Sequence, residues 1–373
     1  MKFKDLGRWL EEPIEGVPAL GNRRLNAVRG FFARLTTPLI PDDYLHLVNP
    51  LWSARELRGR VVNVRPETAD SATLVIKPGW GFRFDYKAGQ FVGIGLHVDG
   101  RWHWRSYSLV SPPSQEEGVI SIAVKAMPEG YLSSHLVGGV RAGTIVRLAA
   151  PQGDFTLPEP PPEKILFITA GSGITPVISM LRTLTRRGEH PDIAHVHSAR
   201  RAGEVMFREE LAEYERSPHY RVHLQLTAEA GKFSPAQLDD HFPDWREREV
   251  WACGPQALLD AVEAHLTAEG RGDHLHVERF TIDRSAHAGQ GGTVRFRRSG
   301  KSITIDGATT VLEAGEKAGV QMPFGCRMGI CHTCVAEIQD GFLRDLRSGR
   351  EAGPGERVKT CVSSAAGDCS IEL

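Results

Sequence analysis

The feature that most constrains this chain is a cysteine pattern near its C-terminal end, Cys326-x4-Cys331-x2-Cys334, completed at a distance by Cys361. Three thiols within nine residues must pair, pack or hold a metal. The other two of the six cysteines, Cys253 and Cys369, fall outside the pattern. A four-residue gap, a two-residue gap and a remote fourth thiolate is the spacing that closes round a pair of sulfide-bridged irons. Zinc is the competing metal, because four-cysteine sites suit it as well. Structural zinc usually takes two closely spaced pairs, however, and here the fourth cysteine is solitary. Gly325 and Gly329 allow the backbone to bend close enough for N–H groups to face anionic sulfur.

A chain of 373 residues has material for two or three domains. Its formal net charge of −1 supplies no basic field for nucleic acid. No apolar run approaches the roughly 20 residues of a spanning helix. The first ten residues are broken by charge and lack the apolar centre of a signal peptide, so the cytoplasm is the expected location.

Residues 1–54 carry Leu25, Val28, Phe31, Phe32 and Leu35 at helical intervals and read as a helical arm, a docking surface for a membrane or partner being the alternative to simple packing. Residues 55–158 read as short strands of an antiparallel barrel: Arg60–Val64, Thr73–Ile76, Phe91–Leu96, Ser106–Val110, Val119–Val124 and Ile145–Ala149. Prolines 158, 160, 161 and 162 form a stiff linker. Residues 159–283 alternate apolar strands with helical patterns, the signature of a doubly wound α/β domain with a parallel sheet. A polar linker, 284–291, leads to a small domain at 292–373, where Thr310 and Glu313 have capping-box spacing.

Two further sets of residues carry chemistry. Arg105, Ser106, Tyr107 and Ser108 lie on an expected barrel strand. An arginine there can neutralise a pyrophosphate, a tyrosine ring can cover a flavin face, and a serine can bond its edge. Taken alone these four are simply an amphipathic strand. Gly130 and Ser133 follow at a turn entering a helix, a natural phosphate site. Gly171, Gly173 and Thr175 follow the apolar strand Ile165–Thr169, where glycines let the backbone approach a dinucleotide pyrophosphate. Cys253, Gly254 and Pro255 repeat that strand-to-helix geometry. Ser198 and Arg200, with Arg201, end another strand, and a hydroxyl beside guanidinium groups favours the 2′-phosphate of NADPH over NADH. His195 and His197 alternate on that strand as packing or surface residues.

The loop Pro323–Cys334 resembles the ligand loop of plant-type 2Fe–2S ferredoxins. Arg105–Ser108 with Gly130–Ser133 resembles the flavin motifs of the ferredoxin–NADP⁺ reductase family, and the loops at Gly171 and Cys253 are similar to that family's nicotinamide elements. The resemblance spans roughly residues 55–373. It implies three domains: a flavin-binding β-barrel, a doubly wound nucleotide-binding domain and a β-grasp-like ferredoxin domain. Cys326 and Cys331 would hold one iron, and Cys334 and Cys361 the other. Arg105 and Ser133 would meet flavin phosphate, and Tyr107 and Ser108 the isoalloxazine. Cys253 would border the nicotinamide, and Phe280 would cover the flavin unless it is a core residue. FAD is the usual flavin, although related phthalate-dioxygenase-type reductases use FMN. The implied activity is electron transfer from NADPH through FAD and a 2Fe–2S cluster to a partner protein. The arm and the stretch 125–155 look like actinobacterial fatty-acyl desaturase reductases, which makes a diiron desaturase the expected partner. An oxygenase, hydroxylase or cytochrome P450 system using NADH is the second reading, and a redox-sensing module the third.

Overall fold

The computed structural model describes residues 48–53, 56–98, 101–114, 118–127, 131–280, 287–324, 329 and 333–373. Most of the expected N-terminal arm, part of the second linker, and Gly130, Cys326 and Cys331 lie outside the described residues.

Six strands follow Glu56: β1 (Leu57–Thr68), β2 (Ser71–Pro78), β3 (Phe91–Val98), β4 (Arg101–Ser108), β5 (Ile120–Lys125) and β6 (Ile145–Leu148). They form an antiparallel sheet in the order β4-β3-β6-β1-β2-β5. A bridge between Leu109 and Ile122 returns the end of β4 to β5 and curls the sheet toward a barrel. Inside it Val61, Leu74, Ile76, Val92, Ile94, Ile120 and Ile122 are fully buried, and helix α1 (Tyr131–Gly138) adds Leu132 and Leu136.

Two strands run differently from their sequence signal. β1 continues past Val64 to Thr68, pairing with β2 through two register shifts, and its later residues face outward and are polar. β4 begins at Arg101 and stops at Ser108, whereas hydrophobicity marked 106–110. As an edge strand it tolerates the sequence RWHWR while pairing with β3 along its whole length.

The next domain contains β7 (Lys164–Ala170), β8 (Asp192–Ala199), β9 (Tyr220–Leu226), β10 (Glu249–Cys253) and β11 (Leu275–Glu278), all parallel, in the order β11-β10-β7-β8-β9. Helices α2 (Ile174–Arg187), α3 (Arg208–Tyr214) and α4 (Gln256–Ala268) connect them. β7 is apolar from Ile165 to Ile168 because both of its faces are covered there. Ile168, Val196, Leu259 and Val262 pack on one side. The core on the other side, with Phe167, Val177, Met180 and Trp251, takes in Ala88, Val110, Ala123 and Phe155 from the barrel. Polar contacts cross the same seam: Arg182 Nη1 donates to Val110 O (2.9 Å), Ser179 Oγ to Ser111 O (3.0 Å) and Trp251 Nε1 to Thr156 O (3.3 Å).

The C-terminal part contains β12 (Gly292–Phe296), β13 (Lys301–Ile305), α5 (Val311–Lys317), β14 (Val335–Asp340), β15 (Leu343–Asp345), β16 (Glu351–Ala352), β17 (Arg357–Lys359), β18 (Ser363–Ala365) and β19 (Cys369–Ile371). Its main sheet runs β13-β12-β19-β14-β17. Thr310 and Glu313 form the capping box of α5, with Glu313 N–H donating to Thr310 Oγ1 at 3.2 Å. Val294, Phe296, Leu312, Ile338, Val362 and Ile371 fill a separate core that also contains Cys369. Among the described residues no helix is long and apolar enough to cross a membrane.

Candidate functional site

β4 presents two chemically distinct faces. Opposite residues of an antiparallel pair share a face, and Tyr107 lies opposite Val92 while Arg105 lies opposite Ile94. Tyr107 packs against the barrel core, and burial pushes its phenol well above the usual tyrosine range, so the ring is neutral. The Arg105 guanidinium reaches solvent and donates to Trp104 O at 3.0 Å. Ser106 and Ser108 point to the other face. Among the described residues their hydroxyls are buried with no hydrogen-bond partner. A sealed, unpaired hydroxyl costs free energy unless a ligand atom meets it, so these orphans fit a bound flavin. Ser133 is buried at the start of α1, and its Oγ accepts from Met127 N–H at 3.2 Å.

The parallel sheet places its loops where a dinucleotide can lie. β7 is central, the chain moves to β8 on one side and later to β10 on the other, and ligands bind in the crevice at such a switch point. The two loops that open there touch. A Cβ on Gly173 would sit 2.1 Å from Cys253 O, so only glycine permits the contact. Gly171 adopts φ 54°, and Gly254 lies against Ala170. Thr175 is buried, and its Oγ1 donates to Ser172 O at 2.9 Å, tying the loop to the start of α2. Pro255 caps α4. At the end of β8 the Ser198 hydroxyl is buried and unpartnered among the described residues, and the exposed Arg200 follows in the turn. Glu204, the first acid beyond them, lies 3.8 Å from Lys125 of β5.

Cys253 is fully buried, and burial, with the nearby Glu278 adding to it, raises its thiol well above the usual range, so it is not a thiolate. Phe280 is 38% exposed and is not the core residue that was its alternative. Sequence reasoning missed Glu278. It pairs in register with Cys253 across β10 and β11, its Oε2 is buried without a partner among the described residues, and burial raises its carboxyl to about 8. It is therefore a neutral acid near pH 7. His195 and His197 also proved more organised than their spacing suggested. Thr169 Oγ1 bridges His195 Nε2 (2.7 Å) and His197 Nδ1 (2.8 Å), while His195 Nδ1 meets Tyr220 Oη (2.7 Å).

In the C-terminal part the sulfurs of Cys334 and Cys361, neither in a disulfide, lie 3.2 Å apart in a buried pocket. Gly329 N–H points at Cys361 Sγ (3.2 Å) from a φ of 74°, and a Cβ there would lie 2.7 Å from Arg347 Nη1. Lys359 Nζ donates to Gly329 O at 2.6 Å and braces the same loop. Converging thiols with an N–H aimed at sulfur suit an anionic cluster.

Comparison with known proteins agrees with this geometry. Family models match an oxidoreductase FAD-binding domain over residues 68–157, an oxidoreductase NAD-binding domain over 167–264 and a 2Fe–2S iron–sulfur cluster binding domain over 295–366. An NADPH oxidoreductase of Mycobacterium tuberculosis is 58% identical over 351 residues, covering 93% of this chain and 92% of that protein. The chain belongs to the family of NAD(P)H-dependent FAD and 2Fe–2S oxidoreductases. Another member, the glycine betaine monooxygenase reductase subunit of Chromohalobacter salexigens, is 32% identical over 86% of this chain and 96% of its own. Phthalate dioxygenase reductase, described as a modular structure for electron transfer from pyridine nucleotides to 2Fe–2S, superposes with a TM-score of 0.57 at 25% identity, covering 86% of this chain and 98% of its own. Like the reductase components of oxygenase systems, this family member is an electron-transfer enzyme with an electron-accepting partner.

Proposed function

We propose that this oxidoreductase draws electrons from NADPH and delivers them singly to a diiron fatty-acyl desaturase. The observation that carries the electron path is the presence in one chain of orphan hydroxyls on β4, a glycine-lined crevice at a switch point, and two buried thiols 3.2 Å apart. When bound, a flavin accepts a hydride as an electron pair and releases electrons one at a time to a cluster that carries one.

The domain limits we assign are 55–158, 159–283 and 292–373, with residues 1–54 as a helical N-terminal arm and 284–291 as a linker. Arg105, Gly130 and Ser133 hold the flavin phosphates, while Ser106, Tyr107 and Ser108 orient its ring. Gly171, Gly173, Thr175, Gly254 and Pro255 form the nucleotide cradle, bordered by Cys253 and Phe280. Ser198 and Arg200 select the 2′-phosphate, and the Ser198 hydroxyl, unpaired among the described residues, supports this choice over NADH. Cys326, Cys331, Cys334 and Cys361 ligate the irons.

The test is anaerobic titration of the purified protein with NADPH and with NADH, followed by visible and EPR spectra. NADPH should bleach the flavin band at the lower concentration, and a reduced-cluster EPR signal should follow. Cys361→Ser should lose that signal and the acid-labile sulfide while the flavin still bleaches. If neither nucleotide bleaches a flavin band, the reading fails. Steady-state turnover with a diiron desaturase and with an oxygenase then decides the acceptor. The relatives that serve monooxygenase and dioxygenase systems favour the second acceptor as the alternative.

A further inference from the structure

The turn that follows β8 holds two cations and one acid, Arg200, Arg201 and Glu204. Its backbone closes on itself, with Glu204 N–H donating to Arg201 O at 2.9 Å. It is also tied to the segment after β9, where Ala228 N–H donates to Arg200 O at 3.0 Å. A carboxylate so placed has its nearest opposite charges within its own turn, and attraction falls with distance. The structure pairs it elsewhere. Arg200 and Arg201 are exposed, and among the described residues neither meets a carboxylate. Glu204 Oε2 instead lies 3.8 Å from Lys125 Nζ, which belongs to β5 of the barrel.

The barrel side of this contact is fixed. Lys125 Nζ is 3.0 Å from Asp70 Oδ2, and Asp70 Oδ1 accepts from Thr68 Oγ1 at 2.7 Å. Lys125 also stands opposite Ser71 in the register of β2 with β5. One ammonium therefore faces two carboxylates from two domains, Asp70 as its anchor and Glu204 as the group it draws across the seam. The core shared by barrel and parallel sheet keeps both sides of that seam together. The consequence is electrostatic. With Glu204 drawn aside, the turn offers two uncompensated guanidinium groups to a phosphate. A released Glu204 would neutralise one of them, and a carboxylate after this strand is what accepts the ribose 2′-hydroxyl of NADH.

We propose that Lys125 of the barrel is a specificity-determining positioning residue, which holds Glu204 away from Arg200 and Arg201 and so keeps the turn fit for the 2′-phosphate of NADPH. Lys125 acts through Glu204 and need not touch the nucleotide. The inference rests on the proposed preference for NADPH. A partly exposed charge pair of this kind is worth up to about fivefold in an equilibrium.

The test is a double-mutant cycle on the flavin-loaded full-length protein, read as the ratio of kcat/KM for NADPH to kcat/KM for NADH with an artificial electron acceptor. Lys125→Gln should lower that ratio by about fivefold, through a higher KM for NADPH, while the flavin content is retained. Lys125→Arg keeps the charge and should keep the ratio. The double variant Lys125→Gln, Glu204→Gln should return the ratio to the wild-type value or above it, because no acid is left to release. An unchanged ratio in Lys125→Gln overturns the proposal. So does a fall that persists in the double variant, since Lys125 would then act on the phosphate by itself. Glu204→Gln alone leaves the lysine and its anchor in place and gives a reading even if Lys125→Gln does not fold. Its ratio should match or exceed wild type, and a lower one overturns the proposal. A wild type that prefers NADH instead defeats the NADPH reading itself, an outcome distinct from a preference for NADPH that ignores Lys125.

Discussion

At the scale of single residues, the environment of Glu278 has a consequence that can be measured without any cofactor. Its folded carboxyl titrates at about 8, well above the ordinary glutamate value near 4.5, because burial disfavours the charged form. The native state therefore binds more protons than the unfolded chain between those values, and stability falls as pH rises across that window. The contribution is fully present below the unfolded value and is lost as pH rises through about 8. Thermal melts of wild type and Glu278→Gln from about pH 5 to 9 should show the difference moving steadily against wild type, whereas a constant difference would mean the carboxyl is not sealed. No sequence signal marks this residue. Its surroundings are made by Cys253 on the neighbouring strand, far earlier in the chain, and only the register of β10 with β11 brings the two together. The cysteine pattern was legible because most of it is local: nine residues carry three of the four thiols proposed as ligands. Thr169 stayed hidden for the same reason as Glu278, since its two histidine partners come from the adjacent strand.

At the scale of elements, the glycine loops separate two kinds of constraint. Gly173 is required by what lies across from it, because Cys253 O occupies the space a Cβ would need. Gly188, which ends α2 at φ 67°, has nothing within 4 Å and is required only by its left-handed backbone. The two should fail differently. Gly188→Ala should cost about 1 kcal/mol of stability and leave the Michaelis constant for NADPH unchanged. Gly173→Ala forces apart the loops that flank the crevice and should lower kcat/KM for NADPH by about a hundredfold while the bound flavin content is retained. Steady-state kinetics beside calorimetry on both variants checks the contrast. Element types were readable wherever periodicity was strong, as in β7 and α2. Element limits were not readable in β1 and β4, where outward-facing charged residues and an edge position freed the sequence from the hydrophobic pattern.

At the scale of the whole molecule, the three domains are joined in two unlike ways. Barrel and parallel sheet share one core, in which Val110, Ala123 and Phe155 pack among the residues of α2 and β10, and Arg182 and Ser179 bond across the seam. The C-terminal part has its own core. It faces the barrel across an open cleft of about 590 Å³, with Trp102 on one wall and Glu316, Met322 and Phe324 on the other. Trp102 is held from behind by the Arg147 guanidinium, 3.7 Å from its ring. Calorimetry of the holoprotein should therefore resolve two heat-absorption steps, and removing iron should lower only the one that belongs to residues 292–373, by at least about 5 °C. A single transition that shifts as a whole would contradict the separation of cores. Independent sealing also confines damage. Iron lost to an oxidant loosens one compartment and leaves the hydride-accepting compartment shut and competent. A chain in that condition takes up one hydride and then stalls with the pair held, so the construction that protects the fold turns every unmetallated copy into a dead end unless dioxygen drains it as an oxidant.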